Sequence, residues 1–213
     1  MKTAILAGAT GLIGSKLLEL LLNEDAYSRV VAVSRKKLTV SNTKLLNIVV
    51  DFDNLQNYSS LLKGEDVFCC LGTTIKEAGS KGAFRKVDYD YPVSLAKTTH
   101  QEGARQFLIV SALGANKNSS IFYNRVKGEV QEAVGKMEFE GLHIFQPSLL
   151  LGLRVRKRTG EYIGKAMMNT FDFFIPKKYK AIESVKVARA MLMIANRQQR
   201  GTIIYESDEL QSF

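Results

Sequence analysis

The chain has 213 residues, 46% of them hydrophobic and 24% charged, with a formal net charge of +9 at pH 7. That length can bury one full core or two small ones, and the absence of any run of 18 apolar residues argues against a transmembrane helix. No basic-then-apolar leader precedes the first apolar run at Ala4, which argues against a secretory signal.

Cys69 and Cys70 are adjacent inside an apolar run. On a strand they point to opposite faces, so a disulfide between them would be strained. Reduced, buried thiols in a cytoplasmic protein are the expectation. The positive charge admits nucleic acid, an anionic surface or a polyphosphate cofactor as partner. Its densest runs, "RVRKR" at 154–158 and "KKYK" at 177–180, come with no nucleic-acid motif. They read as solvated faces, and nucleic-acid binding is not expected.

In chain order, "KTAILAGA" reads as a short buried strand and the segment from Leu12 as an amphipathic helix. Strands are expected at 29–35 and 45–52, helical sequence from Asn54 to Leu62, and a fourth strand at 66–72. A long helix should lie between Gly82 and Gln101, a fifth strand at 105–112, and a helix carrying Tyr123 should run to about Phe139. A sixth strand is expected at 141–152, then, near the end of the chain, the helix "SVKVARAMLMIANR" and the short strand "GTIIYE". Alternating β and α elements with apolar strands predict an α/β fold, a Rossmann-type doubly wound parallel sheet with helices on both faces. One domain over 1–213 is the economical reading. Residues 153–181, basic and aromatic, would form a lid or substrate-side insertion over the carboxyl edge of the sheet.

"LAGATGLIGS" sets Gly8, Gly11 and Gly14 directly after the first strand and at the opening of the first helix. Gly8 can take the tight turn, Gly11 can let the backbone approach a pyrophosphate, and Gly14 can let helix and strand pack closely. The helix N-terminus offers N–H groups and a positive dipole end to the phosphates. Ala9, Thr10, Leu12 and Ile13 complete this cofactor-binding loop. After the second strand, where an NAD site carries a carboxylate, the chain has Ser34, Arg35 and Lys36. A guanidinium can take a 2′-phosphate through paired donors, so NADP(H) is expected over NAD. Asp51, with Phe52 beside it, either meets the adenine edge or caps the helix that follows.

The combination of "GATGLIG", "FCCLGTT" followed by "VDYDY", and "YNRVKGEV" resembles the atypical short-chain dehydrogenase/reductases, in particular the NADPH-binding oxidoreductase-like group that includes the Tat-interactive protein. The resemblance implies that Ser111, Tyr123 and Lys127 are the catalytic set and that Cys70, Leu71, Gly72 and Thr73 border the cofactor. It places Pro147 beside the nicotinamide, in "QPS", where Gln146 and Ser148 replace the family's Arg and Gly. It assigns no residue to the Asn of the larger family's tetrad.

Residues four apart share a helix face, so Lys127 can sit near Tyr123. An ammonium and an oxidised nicotinamide favour a phenolate, which lets a tyrosine exchange a proton with a substrate oxygen. Ser111 would hold that oxygen, and Lys127 would also fasten the cofactor ribose. Met167, Met168, Phe171, Phe173 and Phe174 would line an apolar pocket or serve as ordinary core. His100 and His143 lack ligand-like spacing, so no metal is expected. The expected partner is a small apolar carbonyl or alcohol. A cofactor-loaded regulatory protein with little turnover is the alternative. The helices around 82–101 and 119–139 are candidates to pair across a homodimer.

Overall fold

The structure is a computed structural model describing residues 1–151 and 176–213. Seven parallel strands form its main sheet: β1 (Lys2–Ala7), β2 (Tyr27–Ser34), β3 (Leu45–Val49), β4 (Asp66–Cys69), β5 (Gln106–Val110), β6 (Gly141–Gln146) and β9 (Gly201–Glu206). A separate two-residue parallel pair joins β7 (Leu150–Leu151) to β8 (Ile182–Glu183). The spatial order is β3-β2-β1-β4-β5-β6-β9. Connections run outward to one side from β1 and to the other from β4, so the crevice between their carboxyl ends is where ligands bind in open α/β sheets.

The strands read as near-continuous apolar runs because both faces are covered. On one face, α1 (Leu12–Asn23) and α6 (Ser184–Arg197) bury Leu17, Leu21, Val187 and Met191 against Leu6, Phe68 and Phe145. On the other, α4 (Tyr91–Gln101) and α5 (Phe122–Gly135) bury Leu95, Val130 and Val134 against Ile5, Val67 and Phe107. Cys69 falls in this second core and Cys70 packs against the first, the alternation that a strand imposes, and both thiols are free.

Several elements depart from the expected bounds. The fourth strand stops at Cys69, and the sixth ends at Gln146 before β7. The third strand ends at Val49, after which Asp51 opens a run of tight 3₁₀ turns over Phe52–Leu61. A one-turn helix, α2 (Ile75–Ala78), precedes the long helix and ends at Gly79 in the left-handed region. The long helix itself is broken in two: α3 (Lys81–Arg85), capped by the Ser80 side chain, runs through a π-helical turn at Lys86–Asp90 into α4. Helix α5 stops at Gly135, with Glu138 in the left-handed region just beyond (φ 55°).

Most of the expected lid lies outside the described residues, as do "RVRKR", Met167, Met168, Phe171, Phe173 and Phe174. Its last residues are described. Lys177–Tyr179 form a 3₁₀ turn, and Lys178 pairs with Glu206 at 2.5 Å. The β7–β8 pairing brings the two described flanks of the segment together just beyond β6. Among the described residues no helix is long and apolar enough to cross a membrane.

Candidate active site

The glycine loop bridges the crevice. Gly8 has φ +89°, and a Cβ there would stand 2.5 Å from the Cys70 carbonyl oxygen, so the end of β1 lies against the end of β4. A Cβ on Gly14 would stand 2.1 Å from the Gly8 oxygen, which makes glycine the condition for α1 to start this close to β1. Gly11 precedes α1 and is tied to Gly8 by an N–H···O bond of 2.9 Å. The first turn of α1 has neither a side-chain cap nor an acidic residue. Its N–H groups and positive dipole end are therefore suited to a phosphate. Ala9 is buried, Thr10 is exposed, Leu12 is half-buried, and Ile13 points into the core.

At the end of β2, Arg35 and Lys36 are exposed. Ser34 is occupied locally: its hydroxyl donates to the Lys36 carbonyl at 2.7 Å and accepts from the Asn47 amide at 2.8 Å. Asp51 acts as a cap, accepting from the Asp53 N–H at 3.0 Å and the Asn54 amide at 2.7 Å. Those bonds, the Asn54 one foremost, hold its carboxyl below the usual range. Phe52 is a core residue with its ring 5.1 Å from that of Tyr91.

Beyond β4, Gly72 is exposed, and a Cβ on it would meet Asp88 Oδ1 at 3.4 Å and Lys127 Nζ at 3.6 Å. Residues 70–73 therefore connect the glycine cradle to Lys127. Cys70 contributes its backbone there, since its thiol faces Met191 Sδ at 3.9 Å. Leu71 is half-buried against the second core. The Thr73 N–H donates to Asp88 Oδ2 at 2.9 Å.

Asp88 is a residue that spacing did not single out. It sits in the π-helical turn, and its Oδ1 lies 2.7 Å from Lys127 Nζ, with the two side chains 0% and 5% exposed. π-Bulges often occur at functional sites, and this one turns a carboxylate inward from a helical run. Burial pulls the Lys127 ammonium down, but Asp88 and Tyr123 outweigh it and carry the group above its usual range. Burial pushes the Asp88 carboxyl up against the pull of Lys127 and the Thr73 N–H. Beneath the pair, burial pushes the Cys69 thiol up to about 12.

Tyr123 stands one turn before Lys127 on α5, half-buried, with its ring 5.4 Å from that of Phe84. Between them and Ser111 runs the 112–121 loop. Gly128 admits this loop against α5, since a Cβ there would stand 2.1 Å from the Lys117 nitrogen. Ser111 is buried just past β5, its N–H bonded to the Phe145 oxygen at 2.7 Å. The Leu113 N–H reaches the Pro147 oxygen at 3.0 Å, which ties this loop to the end of β6. Pro147 is buried, and Ser148 bonds to the Lys180 carbonyl and the Ser207 hydroxyl.

A parallel sheet with a glycine cradle at its reversal point, and a buried lysine one helical turn from a tyrosine beside it, defines a dinucleotide-binding protein of the Rossmann type. The family model described as NAD(P)H-binding matches residues 8–139, and the chain belongs to this family. It is 37% identical over 195 residues to the protein HTATIP2 of Rattus norvegicus, covering 90% of this chain and 80% of that one. It is 36% identical over 157 residues to the mitochondrial protein FMP52 of Candida glabrata, covering 72% of this chain and 66% of the relative. The resemblance to the NAD(P)H-binding, oxidoreductase-like group that includes HTATIP2 is thereby established. Among solved structures, MoeE5 in complex with UDP-glucose and NAD superposes with a TM-score of 0.72 at 18% identity, covering 99% of this chain and 80% of that one. A UDP-glucose 4-epimerase of Thermotoga maritima gives 0.72 at 16% identity, covering 97% and 77%. At such identities these two establish the fold alone.

The expectation of a cytoplasmic protein is corrected by the same comparison. The FMP52 relatives of Scheffersomyces stipitis, Candida glabrata, Eremothecium gossypii and Candida albicans are named mitochondrial. Cys69 and Cys70 point to opposite faces of the sheet and would stay unpaired in any compartment, so they carry no information on location.

Proposed function

We propose that the protein is an NADP(H)-dependent oxidoreductase acting on a small carbonyl or alcohol. The observation that carries this reading is the continuity of the site: Gly8 abuts Cys70, and Gly72 abuts the Lys127–Asp88 pair. The residues fit the cofactor, because glycines at 8 and 14 let the ends of β1, β4 and α1 pack backbone to backbone and the first turn of α1 is uncapped and free of acidic residues. Gly8, Gly11, Gly14 and the α1 N-terminus would hold the pyrophosphate, and Arg35 with Lys36 a 2′-phosphate. When bound, the nicotinamide supplies or accepts hydride.

The side chains have separate tasks. Lys127, kept charged by Asp88, would hold the cofactor's ribose hydroxyls, one helical turn from the tyrosine. In reduction, Tyr123 gives its phenolic proton to the carbonyl oxygen as that oxygen gains negative charge, and in oxidation it takes the proton back. Ser111 donates a hydrogen bond to the same oxygen.

The test is NADPH oxidation, followed at the nicotinamide absorbance, across a panel of quinones, aldehydes and ketones. Tyr123→Phe should lower turnover by roughly 10²–10⁴ while leaving NADPH affinity unchanged. In calorimetric titrations, NADPH should bind more tightly than NADH, and Arg35→Asp should remove about 1.5–3 kcal/mol of that preference. A substrate turned over equally well by Tyr123→Phe would remove the tyrosine from the chemistry. Tight NADPH binding without turnover of any carbonyl would favour a cofactor-dependent regulator instead.

A further inference from the structure

Helix α5 carries a third polar residue on the face of Tyr123 and Lys127. Gln131 lies two turns beyond Tyr123 and one beyond Lys127. Its amide nitrogen donates to Ser111 Oγ at 2.5 Å. Its amide oxygen accepts from the Gln146 amide nitrogen at 3.3 Å. Gln146 is buried at the end of β6, so the chain Gln146, Gln131, Ser111 ties the carboxyl edge of the sheet to the helix bearing the tyrosine.

In the structure both amide nitrogens of this chain point toward Ser111, which gives it a direction. An amide nitrogen donates and cannot accept, whereas a serine hydroxyl has one proton and two lone pairs. Because the Gln131 amide oxygen is engaged by Gln146, its nitrogen is the atom turned to Ser111. The Ser111 oxygen is therefore the acceptor, and its own proton is left out of that bond. A hydroxyl already accepting from an amide is polarised and becomes a better donor. An oxygen gaining negative charge in the transition state needs such a preorganised donor.

We propose that Gln131 is a positioning residue that fixes Ser111 as a hydrogen-bond donor to the substrate oxygen, with Gln146 setting the orientation of the Gln131 amide. This rests on the oxidoreductase reading above. It goes further in assigning Ser111 a fixed donor role and in making the residue at 131 decide it.

The experiment compares Gln131→Glu and Gln131→Met in the full-length protein. A carboxylate accepts and cannot donate, so the side chain introduced by Gln131→Glu would capture the Ser111 proton. The thioether introduced by Gln131→Met would leave the hydroxyl free to rotate. With the best carbonyl substrate of the panel, Gln131→Glu should lose about 10²-fold in kcat at pH 8, near the loss of one oxyanion donor. That loss should shrink as the pH falls and the new carboxylate gains a proton with which to donate. Gln131→Met should lose less than about tenfold, with no such recovery, because the serine can still turn to the substrate. NADPH affinity by calorimetry and the melting temperature should stay at wild-type values in both.

Full activity of Gln131→Glu at pH 8 would overturn the proposal. So would equal, pH-independent losses in both variants, or a parallel loss of NADPH affinity, each of which marks a packing role. If wild type turns over and Gln131→Glu matches it, this inference alone fails. If wild type turns over nothing, the enzyme reading falls and the proposal falls with it.

Discussion

Asp88→Ala removes the carboxylate 2.7 Å from Lys127 Nζ, where the side chains are 0% and 5% exposed. The ammonium then loses the counter-charge that offsets its burial. Breaking a buried pair by deleting one partner costs about 3–5 kcal/mol. The Thr73 N–H also loses its acceptor, but Thr73 is half-buried and water can replace that bond at little cost. An expected loss of about 4 kcal/mol corresponds to a fall of about 8–16 °C in melting temperature for a chain of this size. Asp88→Asn keeps an acceptor for Thr73 and should lose about half as much. Adding Lys127→Met to Asp88→Ala removes the stranded charge, so the double variant should be more stable than the single, since replacing both partners of a buried pair by apolar groups is often neutral or stabilising. Urea unfolding at pH 7, followed by circular dichroism, gives the three differences. An Asp88→Ala protein within about 1 kcal/mol of wild type, or a double variant no more stable than the single, would refute this account of the pair.

Three further outcomes follow from local geometry. Gly14→Ala would put a Cβ 2.1 Å from the Gly8 oxygen, forcing α1 away from β1, and should cost about 1–3 kcal/mol in urea unfolding together with most NADPH affinity. Gly11→Ala, whose Cβ would stand 3.3 Å from the same oxygen, should fold and lose mainly the cofactor. His143 is fully buried between Tyr205 and Gln106, and burial lowers its pKa below 6.5. The unfolded chain therefore takes up a proton that the folded chain resists. The contribution is intact above about pH 6.5 and lost as the pH falls below it, at up to about 1.4 kcal/mol per pH unit. His143→Gln should flatten the difference in stability between pH 7 and 5, and an unchanged slope in that variant would contradict the assignment.

The local rules of the chain were sufficient for much of this molecule. Apolar runs of strand length separated by amphipathic segments specify a parallel sheet, because only strands buried on both faces read that way. Gly8, Gly11 and Gly14 directly after such a run announce a cradle, since close backbone approach depends on the missing Cβ and so is written residue by residue. Tyr123 and Lys127 were legible because helical spacing alone puts them on one face, and Gln131 was within reach of the same argument at the next turn. For Asp51 the chain alone offers a cofactor contact or a cap, and its bonds to Asp53 and Asn54 show the cap.

Other features belong to the tertiary structure. Asp88 lies in a stretch that reads as a single long helix, and its burial against Lys127 depends on a π-helical turn that shifts the helical register by a fraction of a turn. The Ser111–Gln131–Gln146 chain joins three elements whose residues stand 20 and 15 positions apart. No periodicity reaches across such separations. Helix and strand patterns come from the fixed geometry of neighbouring peptides. Which buried polar groups meet depends instead on how separate elements dock, and docking is decided by packing over the whole sheet.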